Sequence, residues 1–219
     1  DANYLFYKQS PVCDVNAPRP NVKEGDIIQF GSFYAISPGT RDFMRSFLEY
    51  ASQQQGILYY DLNFRRSHQH ELEQLLPIIH ENFKWTDIVR GSADDFDIMY
   101  GSRDAEFIYK EHIAPYCPIF ICTHGSEGIT VCTPFKTLSF DVPTIQTVST
   151  IGAGDNFNAG FIYGLVKHNI MKGHLATLSD DVWEKLIHCG KRFAANVCAS
   201  VHNSIDIDFG KELQKELLG

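Results

Sequence analysis

The sequence predicts an α/β domain: a mostly parallel, doubly wound sheet with helices on both faces. Two observations predict it. Short runs that are apolar throughout, such as Ile57-Leu-Tyr-Tyr60 and Ile119-Phe-Ile-Cys122, read as strands buried on both sides. Between such runs lie longer segments whose apolar residues recur at helical spacing, and strand–helix alternation of this kind builds a parallel sheet.

Taken in order, Tyr4-Leu-Phe-Tyr7 reads as a short aromatic strand, followed by a polar, proline-rich stretch from Ser10 to Glu24. Asp26–Phe30 is a strand ending in Gly31-Ser32. Thr40–Gln54 carries Phe43, Phe47, Leu48 and Ala51 at helical spacing. Ile57–Tyr60 is a buried strand, and His70–Phe83 a helix with Pro77 as a kink point. A strand over Asp87–Val89, helices over Ala93–Tyr100 and Ala105–Tyr116, and a strand over Ile119–Cys122 follow. Two or three short strands lie between Gly128 and Val148, the last closing at Val148. Helices from about Gly154, from about Asp180 and near the C-terminus complete the chain.

Composition excludes several functions. A net charge of −8 disfavours a nucleic-acid backbone as partner, and no apolar run approaches the ~20 residues a membrane helix needs. The six cysteines form no CxxC pair and sit in apolar patterns, so they read as reduced, buried and cytoplasmic. His68-Gln-His70 lacks a cysteine or carboxylate at metal-ligand spacing and reads as a surface helix start. The acids Asp94, Asp95, Asp97, Asp180 and Asp181 read as solvated helix starts.

The most informative segment is Thr150-Ile-Gly-Ala-Gly-Asp-Asn-Phe-Asn-Ala-Gly160. Phe157, Phe161 and Leu165 place a helix start near Gly152–Gly154. Glycines at such a turn leave backbone N–H groups free to converge on an anion, with the helix dipole adding to the attraction. The expectation is that the amides of Ala153, Gly154 and Asp155 face one hollow suited to a transferred phosphoryl group. A carboxylate beside an anion hole repels phosphate, so Asp155 makes sense as a base that takes the proton of an attacking hydroxyl. The plain reading is an ordinary turn with a first-turn acid.

The longer string resembles the C-terminal signature of the PfkB (ribokinase-like) carbohydrate kinases, D-T-x-G-A-G-D-x-F-x-A-G. Asp61-Leu-Asn-Phe-Arg65 resembles that family's D-x-N-x-R, and Thr123-His-Gly125-Ser-Glu-Gly128 its T-x-G-x-x-G. The resemblance implies a three-layer α/β/α fold of ribokinase type with a remnant of a β lid. It divides the chain into residues 1–25, part of the lid and its connecting loop, and residues 26–219, the nucleotide-binding and catalytic domain. It implies ATP-dependent phosphorylation of a sugar hydroxyl, fructokinase-like, with Asp155 as base and Gly152, Ala153 and Gly154 as anion hole. Arg65 would reach the phosphates, Thr123, Gly125 and Gly128 would border the nucleotide, and Asn196 on the penultimate helix would lie beside adenine. Phe6 on the lid strand would sit over the sugar. The family's N-x-x-E, which supports magnesium through water, aligns with Ser92-Ala-Asp-Asp95, making Asp95 the metal-side acid. Alternatives are a non-catalytic nucleotide-binding pseudokinase and a nucleoside kinase of the same fold.

The chain also departs from the family. Ser149 stands where the family has an Asp, and His202-Asn-Ser-Ile-Asp206 where it often has Gly-Ala, which speaks against a monovalent cation site. The family's glycine-rich N-terminal sugar segment is not found before Asp1, so the expectation is a chain lacking its natural beginning. In the intact protein, residues 4–8 would be a lid strand through which two copies dimerise.

Overall fold

A computed structural model describes residues 18–218. They fall into two compact units, residues 18–139 and residues 140–218. The strand expected at Tyr4–Tyr7, Phe6 with it, lies outside the described residues, as does Cys13.

The 18–139 unit is built on strands β1 (Ile27–Gly31), β2 (Ile57–Asp61), β3 (Ile88–Ser92), β4 (Ile119–Thr123), β5 (Ile129–Cys132) and β6 (Thr137–Phe140). They form one sheet in sequence order. The first four run parallel and β5 runs antiparallel to β4, the mostly parallel α/β class read from the sequence. Every residue of β2 is buried, which is why Ile57–Tyr60 is an apolar run rather than an alternation; the strand closes on the buried Asp61. Helices α1 (Ser32–Ile36), α2 (Arg41–Gln53), α3 (Leu72–Trp85), α4 (Ala93–Tyr100) and α5 (Ala105–Ile108) connect the strands. Their apolar stripes share one core cluster with the alternate strand residues Leu58, Tyr60, Val89, Phe120 and Cys122. In α2 the stripe is Met44, Leu48 and Ala51, the i, i+4, i+7 spacing of one helix face. Tyr59 and Tyr60 are core residues, as their setting in the sequence implies.

Three local expectations are corrected. Ala105–Tyr116 is not one helix: α5 ends at Ile108 and passes into a π-helical turn over Tyr109–Ile113. There the Ala114 N–H reaches back five residues to the Tyr109 carbonyl at 2.7 Å. His68 is not a surface residue but is 5% exposed, stacked on Phe33 at 4.8 Å and bonded through Nδ1 to Glu71 at 3.0 Å. Asp95 is not solvated either, at 8% exposure.

The 140–218 unit consists of α6 (Ala153–Lys167), α7 (Asp180–Cys198) and α8 (Ile207–Leu218). The strand expected to close at Val148 is absent. Both the Val148 and Ser149 N–H groups donate to the Cys198 carbonyl at the end of α7, at 2.8 and 3.3 Å, so they are not available to a ladder. α7 starts at Ser179, whose side chain accepts from the Val182 N–H, and buries Trp183, Leu186, Ile187, Gly190, Phe193 and Val197 along one face. α6 and α7 pack closely because glycines meet there. A Cβ on Gly160 would come within 2.5 Å of the Cys189 carbonyl oxygen, closer than any side chain tolerates. α8 is fastened by Glu216, which pairs with Lys167 of α6 and Arg192 of α7.

Candidate active site

Within the 140–218 unit the predicted turn is a loop entering α6. Gly152 is its N-cap with φ of 79°, a left-handed conformation that glycine adopts without a Cβ penalty. An added Cβ would also lie 3.1 Å from the Asn203 carbonyl oxygen. The Asn156 side chain clamps the turn, donating to the Gly152 carbonyl at 2.9 Å and the Asn203 carbonyl at 3.0 Å. Of the three amides expected to face an anion, that of Ala153 is instead donated to the Thr150 carbonyl at 3.2 Å. Those of Gly154 and Asp155 make no hydrogen bond to protein among the described residues. Orphan N–H groups of this kind, at the positive end of a 15-residue helix, are what an anion can satisfy. The Asp155 side chain is exposed, without a hydrogen bond or ion pair among the described residues. The Ser149 hydroxyl accepts from the Ile151 N–H at 3.2 Å. It brings no charge to the place where an Asp would.

Asn196, half-buried on α7, is engaged within the protein. Its Nδ2 donates to Asp206 Oδ2 at 2.5 Å and its Oδ1 accepts from the Asp206 N–H at 3.0 Å. Asp206 in turn accepts from the Phe209 N–H at 2.8 Å, capping α8. Asn196 therefore fixes the shape of the loop between α7 and α8.

In the 18–139 unit the remaining described candidates lie at the C-terminal ends of the parallel strands, where open α/β sheets bind ligands. Arg65 is half-buried and precedes a 3₁₀ turn over Arg66–Glu71, its carbonyl accepting from the His68 N–H at 2.8 Å. Thr123 ends β4. The loop after it is closed by the His124 N–H on the Gly128 carbonyl at 2.9 Å, with Gly125 at φ of 61°. Asp95 forms a capping box with Ser92. Its Oδ2 accepts from the Ser92 N–H at 2.8 Å and from the Ser92 hydroxyl at 2.9 Å, and the Asp95 N–H donates to Ser92 Oγ at 3.2 Å. Burial pushes the Asp95 carboxyl up to about 6, against the lowering by its Ser92 hydrogen bonds.

No cluster of three or more His, Cys, Asp or Glu that could cage a metal occurs among the described residues. Without such a cage, a magnesium ion would have to take its inner ligands from phosphates and water. A cavity of about 610 Å³ is lined by Tyr109, Lys110, Tyr116, Pro118 and Lys136 among others. Pro118 precedes β4, at the opposite end of that strand from Thr123, so the cavity is separate from these candidates.

Sequence reasoning missed two features of the strand ends. Arg90, inside β3, is 6% exposed and pairs with Asp61 at 3.1 Å. Ser32 and Asn63, just beyond β1 and β2, hold positive φ of 54° and 42°. Such conformations in non-glycine residues gather at functional sites. A charged residue inside an apolar run was the one visible signal for Arg90.

The sequence pattern of the pfkB family carbohydrate kinases matches residues 5–206. A 5-dehydro-2-deoxygluconokinase of Geobacillus thermodenitrificans is 28% identical over 179 residues, 76% of this chain and 52% of that protein. One from Geobacillus kaustophilus is 29% identical over 180 residues, again 76% of this chain and 52% of that protein. The chain thus spans about half the length of the curated relatives it matches. Among solved structures, an aminoimidazole riboside kinase from Salmonella enterica superposes with a TM-score of 0.74 at 17% identity, over 91% of this chain and 65% of that one. A fructokinase from Vibrio cholerae O395 with fructose, ADP and calcium bound gives 0.71 at 19% identity, over 84% and 58%. At these identities the structures establish the shared ribokinase-like fold alone.

Proposed function

The chain belongs to the pfkB family of carbohydrate kinases, and on that premise we propose that the protein transfers the γ-phosphoryl group of ATP to a sugar hydroxyl. The observation that carries the proposal is the first turn of α6: two unsatisfied amides, Gly154 and Asp155, beside an exposed, unpartnered carboxylate. Phosphoryl transfer asks little covalent chemistry of a protein; it needs charge stabilisation and a place for one proton. The Gly154 and Asp155 amides, with Gly152 and Ala153 shaping their turn, receive the charge that spreads over the phosphoryl oxygens. Asp155 takes the proton of the attacking hydroxyl as its oxygen bonds to phosphorus and the bond to ADP breaks. Arg65 offers a planar guanidinium to phosphate oxygens. Thr123, Gly125 and Gly128 border the nucleotide, and Asn196, through the loop it fixes, the adenine. Magnesium, outside Asp95, would neutralise phosphate charge when bound.

The acceptor follows from the relatives only as a class: a small polyol or keto-sugar, with 5-dehydro-2-deoxygluconate and fructose first and a nucleoside such as aminoimidazole riboside second. Retention of Asp155 and Arg65 weighs against a non-catalytic pseudokinase. No helix among the described residues is long and apolar enough to cross a membrane. The free thiols of Cys117, Cys122, Cys132, Cys189 and Cys198 suit a cytoplasmic setting. The sugar contact at Phe6, the lid over residues 1–25 and a homodimer through that lid belong to the same proposal. The test is ADP release by protein expressed from its whole reading frame, over these three acceptors. Turnover on one of them is expected; ATP binding without turnover on any would favour the pseudokinase.

A further inference from the structure

Strands β2, β3 and β4 end in three loops, each carrying a residue of the proposed site. Asp61 opens the loop to Arg65, Ser92 caps α4 with Asp95, and Thr123 opens the loop to Gly128. One guanidinium ties these ends together. Asp61 stands directly opposite Arg90 in the parallel ladder. Thr123 stands opposite Ser92, two residues beyond Arg90, so it projects on the same face of the sheet as Arg90. Arg90 Nη1 donates to Asp61 Oδ1 at 3.1 Å and Nη2 to Thr123 Oγ1 at 2.8 Å. Thr123 passes the chain on to the Gly91 carbonyl at 3.5 Å. The pair is deep, with side chains 8% and 8% exposed.

Burying a charge pair inside a strand is costly, and well-packed apolar residues usually give as much stability or more. What an apolar residue cannot do is hold two loops from opposite sides with directed bonds. A guanidinium fork holds them in fixed geometry. Burial is the largest single influence and lowers the Arg90 pKa, but the charge and hydrogen bond of Asp61, together with Tyr59 and Asp95, raise it on balance, so the fork stays charged.

We propose that Arg90 is a positioning residue for nucleotide binding, setting the Asp61–Arg65 and Thr123–Gly128 loops in one register. The proposal rests on the kinase reading for its ligand, not for its geometry. The test compares Arg90→Met, Arg90→Lys, Thr123→Val and the Arg90→Met/Thr123→Val double variant in the full-length protein. A fluorescent ATP analogue gives affinity, and hydrogen exchange follows the 124–128 amides. Arg90→Met is expected to weaken nucleotide binding by about tenfold and to speed exchange in 124–128 while leaving β2 protected. Arg90→Lys should recover part of the affinity. Thr123→Val should reproduce the loss, and the double variant should add little to either single one. Wild-type affinity and loop exchange in Arg90→Met would overturn the proposal, as would full additivity in the double variant. If Arg90→Met fails to fold, Thr123→Val decides through loop exchange. If the wild-type protein binds no nucleotide, the kinase reading fails, and faster or unchanged exchange in 124–128 still confirms or overturns the positioning role.

Discussion

The strand ends of the 18–139 unit and the first turn of α6 treat polar groups in opposite ways. At the strand ends Asp61, Arg90 and Thr123 are buried or half-buried and bonded to one another, and Ser92 and Asp95 satisfy each other. At α6 the amides of Gly154 and Asp155 are left open, and the Asp155 carboxylate is exposed. The difference separates holding from reacting. A group that fixes a loop is useful when its bonds are already made. A group that meets a substrate must keep its hydrogen-bonding capacity in reserve.

The contrast is tested most strongly at Asp155. Asp155→Asn keeps the shape and removes the base, so phosphoryl transfer should fall about 10²- to 10⁴-fold with ATP affinity nearly unchanged. Near-normal turnover in a coupled ADP-release assay would remove Asp155 from the reaction. One turn further along, α6 becomes a packed element, and there the expected loss is in stability. Gly160→Ala forces a Cβ against the Cys189 carbonyl and should cost about 1–3 kcal/mol, read as a lower denaturation midpoint in urea. An unchanged midpoint would mean that α6 and α7 part without cost.

At Asp95 the expected effect appears only as a dependence on pH. Its folded-state pKa is raised to about 6 from an ordinary 3.8. Below pH 3.8 the carboxyl is protonated in both states and its full contribution to stability is present. As pH rises through 6 the folded protein is forced to ionise a buried group, and that contribution is lost. Asp95→Asn keeps an acceptor for Ser92 and cannot ionise. The stability of the variant relative to wild type should therefore rise between pH 3.8 and 6, measured by urea unfolding across that range. A flat difference would show that Asp95 is better solvated than its 8% exposure implies.

Local signals were legible in the sequence. The unbroken apolar runs at 57–60 and 119–122 gave buried strands because burial on both faces leaves no polar alternation. The spacing of Phe157, Phe161 and Leu165 fixed the start of α6 within a residue, and Asp155 stands out because a carboxylate is chemically odd beside an anion site. What escaped reading depends on distant partners. Arg90 finds Asp61 and Thr123 at separations of 29 and 33 residues, and nothing local to Arg90 reveals either. Val148 has the composition of a strand, yet its N–H goes to a carbonyl at the end of α7. A glycine-flanked turn does not say which N–H closes it, and here it is the Ala153 N–H, donated to the Thr150 carbonyl. His68 is buried by Phe33, which lies 35 positions away.

The sheet's sequential strand order has a consequence for how the chain is made. Among the described strands, each of β2 to β6 pairs with the strand synthesised just before it, so none has to wait for a later partner. A growing chain can lay the sheet down at the pace of translation, one strand at a time, with each new edge open only until the next strand arrives. The growing edge is thus open only briefly at each stage, and the strand carrying Arg90 emerges after Asp61 and before Thr123, taking one partner already in place and waiting for the other.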